Sequence, residues 1–317
     1  MNLRQLRAFA LIAEHGSIRA AARALAVTQP AATRSLRELE QSVGVDLVRR
    51  SVKGVELTSY GEALYKRAIV ILQETRRARE EIGQMRDGEG GTLSLAVSSA
   101  ALVVVPDALV AFRARMPRVV VSFNEVGPPY SHEQLDSGRY DFLVQTEYDG
   151  DINDGFAHRP LFTLPLAIGA RLGHPLRRAR SLTELHDAPW LVPGNTGAPA
   201  NLVKMAFAAH GLSLPRDIIS CHSVAVALAI MAKSDALGIF VRPLFEHELL
   251  PSHMRMMQLT HELPSARISI LARKESPPTP AAECFITCLI DARDAMVASS
   301  KAGSPGRKDR TPWTEQD

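Results

Sequence analysis

Cysteine is scarce in this chain, and its pattern excludes several chemistries. Only Cys221, Cys284 and Cys288 occur among 317 residues. An odd count with no zinc spacing argues against both a disulfide framework and a zinc module. Cys284 and Cys288 stand one helical turn apart, a spacing read as packing, so the expected setting is a reduced, cytoplasmic one. Long apolar runs are also missing. No stretch approaches the ~18–20 residues of a membrane span, and the N-terminus has no apolar secretion-signal core. A Gly-x-Ser-x-Gly elbow, a phosphate loop and a dinucleotide fingerprint are all absent. His247-Glu248 and His261-Glu262 begin like zinc-protease motifs, but Pro251 and Ser265 stand where the second histidine is required. The expectation is therefore no metal, no cofactor, no catalytic set and no membrane.

What is present points elsewhere. The length suits two or three domains, and 46% hydrophobic residues suffice for sizeable cores. The net charge of +3 conceals an asymmetry. Residues 1–86 carry fifteen Lys/Arg against nine Asp/Glu, about +6, which leaves about −3 for the rest. A basic N-terminal part suggests an anionic polymer as partner.

Leu3, Leu6, Phe9, Ala10 and Ala13 recur at helical spacing and predict a first helix over about 2–14, ended by Gly16. Ser17 is a good N-cap for a second helix whose stripe is Ile18, Ala21, Ala22 and Leu25. Thr28-Gln29-Pro30 then ends that helix and starts a third. Thr28 offers a cap oxygen, and Pro30 falls in the first turn, where its missing N–H does no harm. The third helix, about 29–43, is expected to bury Ala32, Leu36, Leu39 and Val43, with Gly44 as its stop. Its other face displays Gln29, Thr33, Arg34, Arg37 and Gln41, whose side chains can bond base edges and phosphates in a major groove. Two short helices, a tight turn and a polar third face predict a helix-turn-helix. In "RRSVKGVELT", Arg49, Arg50 and Lys53 surround a turn at Lys53-Gly54, which reads as a basic two-stranded wing. An ordinary three-helix bundle accounts for the helices but not for that wing.

The stretches "LRQLRAFALIAEHGSIRAAARALAVTQPAATRSLRELEQSVGVDLVRR" and "GVELTSYG" resemble the LysR-type transcriptional regulators. The resemblance implies that the helix opening at Gln29-Pro30 reads DNA, with Gln29, Pro30, Thr33 and Arg34 at the duplex and Arg50 in the wing. Arg37, Lys53, Ser17 and Thr28 complete the expected DNA-binding set. Thr33 stands where serine is commoner, and Val48 where phenylalanine is usual.

Thr58 or Ser59 caps a longer helix reaching about residue 86, roughly 43 Å at 1.5 Å per residue. Gly61, Leu64, Ala68, Ile71, Thr75, Ala78, Ile82 and Met85 make a seam at spacings of three and four. No second long helix lies in this half, so the same helix of another subunit is the expected partner. A homodimer is anticipated, and the resemblance extends this to a homotetramer. Residues 87–91 then supply a hinge.

From Thr92 strands alternate with helices, which predicts a mostly parallel sheet with helices on both faces. Strands are expected at "TLSLAV", "VVVSFNEV", "YDFLVQ", "LPLAIGA", residues 189–192, "IISCHS", "ALGIFV" and "ARISILAR". Helices are expected over 99–115, 131–137, 198–210, 224–233 and 280–298. The fold class is thus α/β with an N-terminal all-α winged helix-turn-helix, followed by a two-lobed α/β domain like a periplasmic binding protein. The expected divisions are a head at 1–58, a linker helix at 59–86, a hinge at 87–91 and an effector domain at 92–298. Lobe I takes about 92–162 and 267–298, lobe II about 163–266, and 299–317 reads as a disordered tail.

Ligands of open α/β lobes sit beyond the carboxyl ends of strands. Small polar residues stand there: Ser98 and Ser99 with Ala100, Gln145 and Thr146, Asn195 and Thr196, and His222 and Ser223. The resemblance adds Ser99, Pro128 and Thr146 at effector-contact positions. Pro128 where relatives carry a hydroxyl, and Thr146 where some carry arginine, set this chain apart from dicarboxylate-sensing members. Hydroxyls without a committed arginine favour a small anion, such as a carboxylate or sulfonate. Lys233-Ser234-Asp235 looks like the toluenesulfonate-type regulators within the family. The expected partners are double-stranded DNA, a small-molecule effector, further copies of the chain, and RNA polymerase. Two other readings stay open here: an architectural DNA-binding protein with a non-sensing second half, and an enzyme in the α/β half.

Overall fold

The computed structural model describes residues 1–51, 54–87, 90–125, 130–147, 155–193, 202–221, 223–247, 249–274 and 276–302. The chain forms two compact units. One takes Met1–Gly91 with His132–Tyr140, and the other takes Thr92–Ser131 with the chain from Asp141 onward.

The first unit opens with α1 (Leu3–His15). Asn2 caps it reciprocally with Gln5, and Gly16 closes it in the left-handed conformation. Next come α2 (Ile18–Ala24) and α3 (Gln29–Val43). Their common core is Leu6, Phe9, Ile12, Ile18, Ala21, Ala22, Ala32, Leu36, Leu39 and Leu47. Alanines on the facing stripe let the helices approach closely. Val43, expected in this core, is instead 37% exposed, because α3 ends there and its last turn outruns the packed layer.

The hairpin that follows pairs β1 (Val48–Ser51) with β2 (Gly54–Leu57), Val48 opposite Leu57. Three contacts fix it. The Glu40 carboxylate accepts the Leu47 and Val48 N–H groups at 2.9 and 3.3 Å. Val55 N–H donates to the Gly16 carbonyl at 2.9 Å. Thr58 donates its hydroxyl to the Asp46 carbonyl (2.8 Å) and accepts Gly61 N–H (3.0 Å), which starts α4 (Ser59–Asp87). Gly61 is required at this junction, since a Cβ there would lie 1.9 Å from the Leu47 carbonyl oxygen. Further along α4, the buried Arg77 donates to the Tyr140 carbonyl at 2.8 Å.

The second unit is built on one nine-stranded sheet. Its strands are β3 (Thr92–Val97), β4 (Val120–Asn124), β5 (Phe142–Glu147), β6 (Phe156–Arg171), β7 (Trp190–Pro193), β8 (Ile218–Cys221), β9 (Leu237–Val241), β10 (Met254–Met256) and β11 (Ser265–Arg273). The order along the sheet is β4-β3-β5-β11-β6-β9-β7-β8, with β10 paired to β6. A mostly parallel sheet was the expectation, and the pairing is mixed. β3 runs parallel to β4 and β5, and β7 parallel to β8 and β9. β6 and β11, which cross between the two lobes, pair antiparallel with each other and with their neighbours β9 and β5. Helical crossovers impose parallel pairing inside each lobe, whereas a strand returning between lobes runs the other way.

The helices of this unit are α5 (Val105–Arg115), α7 (Leu202–Ala209), α8 (Val224–Lys233), α9 (Pro243–Glu246) and α10 (Pro280–Ala302), while α6 (Tyr130–Asp136) starts in it and continues into the residues of the first unit from His132. The segment 99–115, expected as one helix, is a 3-10 turn at Ser99–Val103 followed by α5 with Pro106 in its first turn. Phe285 of α10 anchors the core, with ring centroids 5.2 Å from Phe112, 5.9 Å from Phe123 and 6.2 Å from Phe142. The last helix runs to Ala302, four residues into the expected tail.

Candidate nucleic-acid interface and ligand-binding edge

The face of α3 is assembled from local rules. Ser17 Oγ accepts Ala20 N–H at 3.3 Å and Thr28 Oγ1 accepts Ala31 N–H at 3.4 Å, so both hydroxyls act as helix caps. With the entry angle of α3 set in this way, Gln29, Pro30, Thr33, Arg34, Arg37, Glu38 and Gln41 line one open groove. Arg34 and Arg37 are exposed and in no ion pair among the described residues. Thr33 donates its hydroxyl proton to the Gln29 carbonyl at 3.0 Å, which leaves its methyl group and oxygen lone pairs to face a partner. Glu38 puts an acidic group on a face otherwise suited to an anion, but its carboxylate accepts from Gln5 Nε2 at 3.2 Å and is drawn toward α1. The sequence reading overlooked this pair because Gln5 and Glu38 are thirty-three positions apart. On the wing, Arg49 pairs with Glu56 at 3.2 Å, an exposed contact worth little in stability. The backbone of Arg50 lies in β1, while its side chain and the whole of Lys53 lie outside the described residues.

The seam of α4 divides in two. Gly61 and Ala68 are buried, and Leu64 and Leu72 pack on the helix-turn-helix core. From Ile71 onward the seam opens: Ile71 is 37% exposed, Ile82 66% and Met85 75%. The expected partner-facing stripe is thus confined to the distal part of the helix.

In the second unit, polar groups meet at the carboxyl edge of lobe I. Ser98, next after β3, donates its N–H to the Val144 carbonyl at 2.8 Å. On the adjoining strands Gln145 stands opposite Ser269. Gln145 Oε1 accepts the Ser131 hydroxyl at 3.2 Å, which ties the start of α6 to this row. Thr146 pairs with Ile268 and, one residue on from Gln145, points to the opposite sheet face. The structure therefore brings Ser98 and Gln145 together and separates Thr146 from Gln145. Ser99 opens the 3-10 turn, in which Ala100 is buried. Ser223 caps α8 by accepting Val226 N–H at 3.4 Å. Pro128, Asn195, Thr196 and His222 lie outside the described residues. Glu125, following β4, is held above the usual carboxylate range by partial burial, opposed by the Val224 N–H at the start of α8.

Three residues of this region were missed from sequence. Ser131 was read only as a helix start. Ser269 alternates with Ile268 and Ile270 and so reads as solvent-facing, yet it is fully buried. Arg242 follows β9 as an unremarkable basic residue, but its half-buried side chain makes no hydrogen bond or ion pair among the described residues. Cys284 and Cys288 sit on α10 as packing residues, and burial pushes the Cys288 thiol up. Among the described residues no group of His, Cys, Asp and Glu could hold a metal ion, and no helix is long and apolar enough to cross a membrane.

Comparison with known families agrees with this division. Residues 3–62 match the bacterial regulatory helix-turn-helix protein family of lysR type, and residues 86–294 match the LysR substrate binding domain. The chain is 32% identical over 247 residues to the HTH-type transcriptional regulator GbpR of Rhizobium radiobacter, covering 76% of this chain and 82% of that one. It is 29% identical to the SDS degradation transcriptional activation protein of a Pseudomonas species, over 95% and 99% of the two chains. Both relatives are regulators by name, not enzymes. In fold, the chain is similar to full-length CbnR in complex with its target DNA, with a TM-score of 0.68 and 24% identity over 92% and 100% of the chains.

Proposed function

This chain belongs to the LysR family of transcriptional regulators, and on that premise we propose that it couples promoter binding to a small organic anion. As a member of the family it is a DNA-binding transcriptional regulator with a ligand-binding domain. The observation that carries the DNA half of the reading is the groove on α3, where Gln29, Thr33, Arg34, Arg37 and Gln41 lie side by side. Amides and guanidinium groups at this spacing suit base edges, and the basic wing suits the flanking phosphates.

The distal α4 seam supports self-association, because exposed Ile82 and Met85 gain most by pairing with the same helix of a second copy. A dimer presents two reading helices to related half-sites, and two dimers would form a tetramer. For the effector, buried hydroxyls at the carboxyl edge of lobe I favour an oxygen-rich acceptor, in our reading a carboxylate or sulfonate. The relative named for SDS degradation fits that class, since dodecyl sulfate is an organic anion. Effector binding shifts the lobes only by as much as the ligand prefers one arrangement. The change reaches the paired helices, alters the spacing of the reading heads and hence DNA bending, and is read by RNA polymerase in the cytoplasm.

The test is selection of bound fragments from genomic DNA, followed by titration of the selected fragment at several salt concentrations. We expect a fragment-specific affinity that falls steeply with salt, as counterion release demands. Equal binding of every fragment at every salt concentration removes the regulatory reading.

A further inference from the structure

Resting on the reading of the second unit as an effector domain, we infer that Arg242 is the anchor that receives the charged group of that effector. Arg242 occupies the corner between β9 and α9. Its backbone is fixed: its N–H donates to the Pro165 carbonyl at 2.8 Å, and its carbonyl accepts Phe245 N–H at 3.0 Å. The side chain leaving this fixed corner is half-buried, and its Nε is fully shielded with no hydrogen-bond partner among the described residues. A guanidinium is always charged and carries only donors. Shielding such a donor without an acceptor costs free energy that an anion would return.

Two more orphaned donors stand nearby. Ser98 Oγ and Ser269 Oγ are buried and have no partner among the described residues. The helix α9 that begins after Arg242 packs against the 3-10 turn that begins after Ser98. Ser269 joins the same edge through the β11–β5 pairing beside Gln145. Three segments far apart in the chain thus contribute three hydrogen-bond donors, and none has its acceptor among the described residues. Satisfied cores are not built this way, since buried polar groups are normally paired. The occupant must supply oxygen lone pairs and negative charge. A carboxylate and a sulfonate both do so and share this chemistry. The arginine supplies charge and direction, Ser98 adds a bond at the same end, and Ser269 marks the inner wall.

Benzoate, 4-toluenesulfonate and uncharged benzamide, titrated calorimetrically against the full chain, test the assignment. We expect one or both anions to bind and benzamide not to. Arg242→Met should weaken anion binding by about tenfold or more, Arg242→Lys should keep part of it, and Ser269→Ala should fall between wild type and Arg242→Met. An unchanged melting transition of the second unit confirms that each variant is folded, and unchanged operator affinity without any probe leaves the DNA reading intact. Equal anion binding by wild type and Arg242→Met overturns the anchor. Benzamide binding as tightly as benzoate, or failure of both anions at millimolar concentration, overturns the anion class. Loss of operator binding in wild type would instead sink the reading of the head, which separates the two failures.

Discussion

The reading head and the ligand-binding edge use the same residue types in opposite ways. On α3 the polar groups face outward, and the hydroxyls of Ser17, Thr28 and Thr33 are satisfied within their own helices. Arg34 and Arg37 stand in water, where an unpaired guanidinium costs nothing. In the second unit, by contrast, Ser98 Oγ, Ser269 Oγ and Arg242 Nε are buried and lack acceptors among the described residues. A surface that meets a large polyanion can stay hydrated until the partner arrives. A pocket for a small molecule must be dry and shaped beforehand, so its unpaired groups are stored inside. On the proposed assignment, the DNA-reading residues are marked by exposure and the ligand-binding residues by unsatisfied burial.

The largest effect that sharpens this contrast should come from the core behind the edge. Phe285→Ala removes the ring that touches Phe112, Phe123 and Phe142 and should cost about 3–5 kcal/mol. In differential scanning calorimetry the loss should appear in the second unit's transition alone; equal loss in both transitions would merge the two regions into one folding unit. Gly61→Ala reverses the location, forcing a Cβ onto the Leu47 carbonyl. It should destabilise the head by roughly 3 kcal/mol, as overpacking does, with anion titrations unchanged. Arg34→Ala touches no core, so melting should stay constant while fragment affinity falls by about 1–3 kcal/mol. An unchanged footprint would remove Arg34 from the reading set. The smallest effect is expected at Thr28→Ala, about 1 kcal/mol of stability from the lost cap. Its fragment affinity should match wild type; an affinity lowered equally for every fragment would make Thr28 a phosphate contact as well.

Much of the head was legible because its determinants are local. Ser17, Thr28, Pro30, Gly16 and Gly44 act within a turn of their own positions, so caps and stops fall where spacing puts them. Val43 was misjudged because helical periodicity alone does not tell where the packed layer ends. The second unit was less transparent. The first half of β6 was not anticipated, since Arg159 and Pro160 interrupt any alternating pattern, and its pairing with β11 is held from across the chain. Gln145 and Thr146 were grouped by adjacency, whereas the pleat sends them to opposite faces.

By itself the sequence determined the order of most elements, the capped polar helix at Gln29 and the distal, exposed part of the seam on the long helix. These rest on interactions between residues a few positions apart, which chain geometry alone brings together. Only the tertiary structure decided that Ser269 is interior, that Glu38 is drawn to Gln5, and that Arg242 Nε is shielded without an acceptor among the described residues. Burial and pairing of this kind depend on distant segments, such as that of Gln145, 124 positions before Ser269, and no local pattern encodes which of them will arrive.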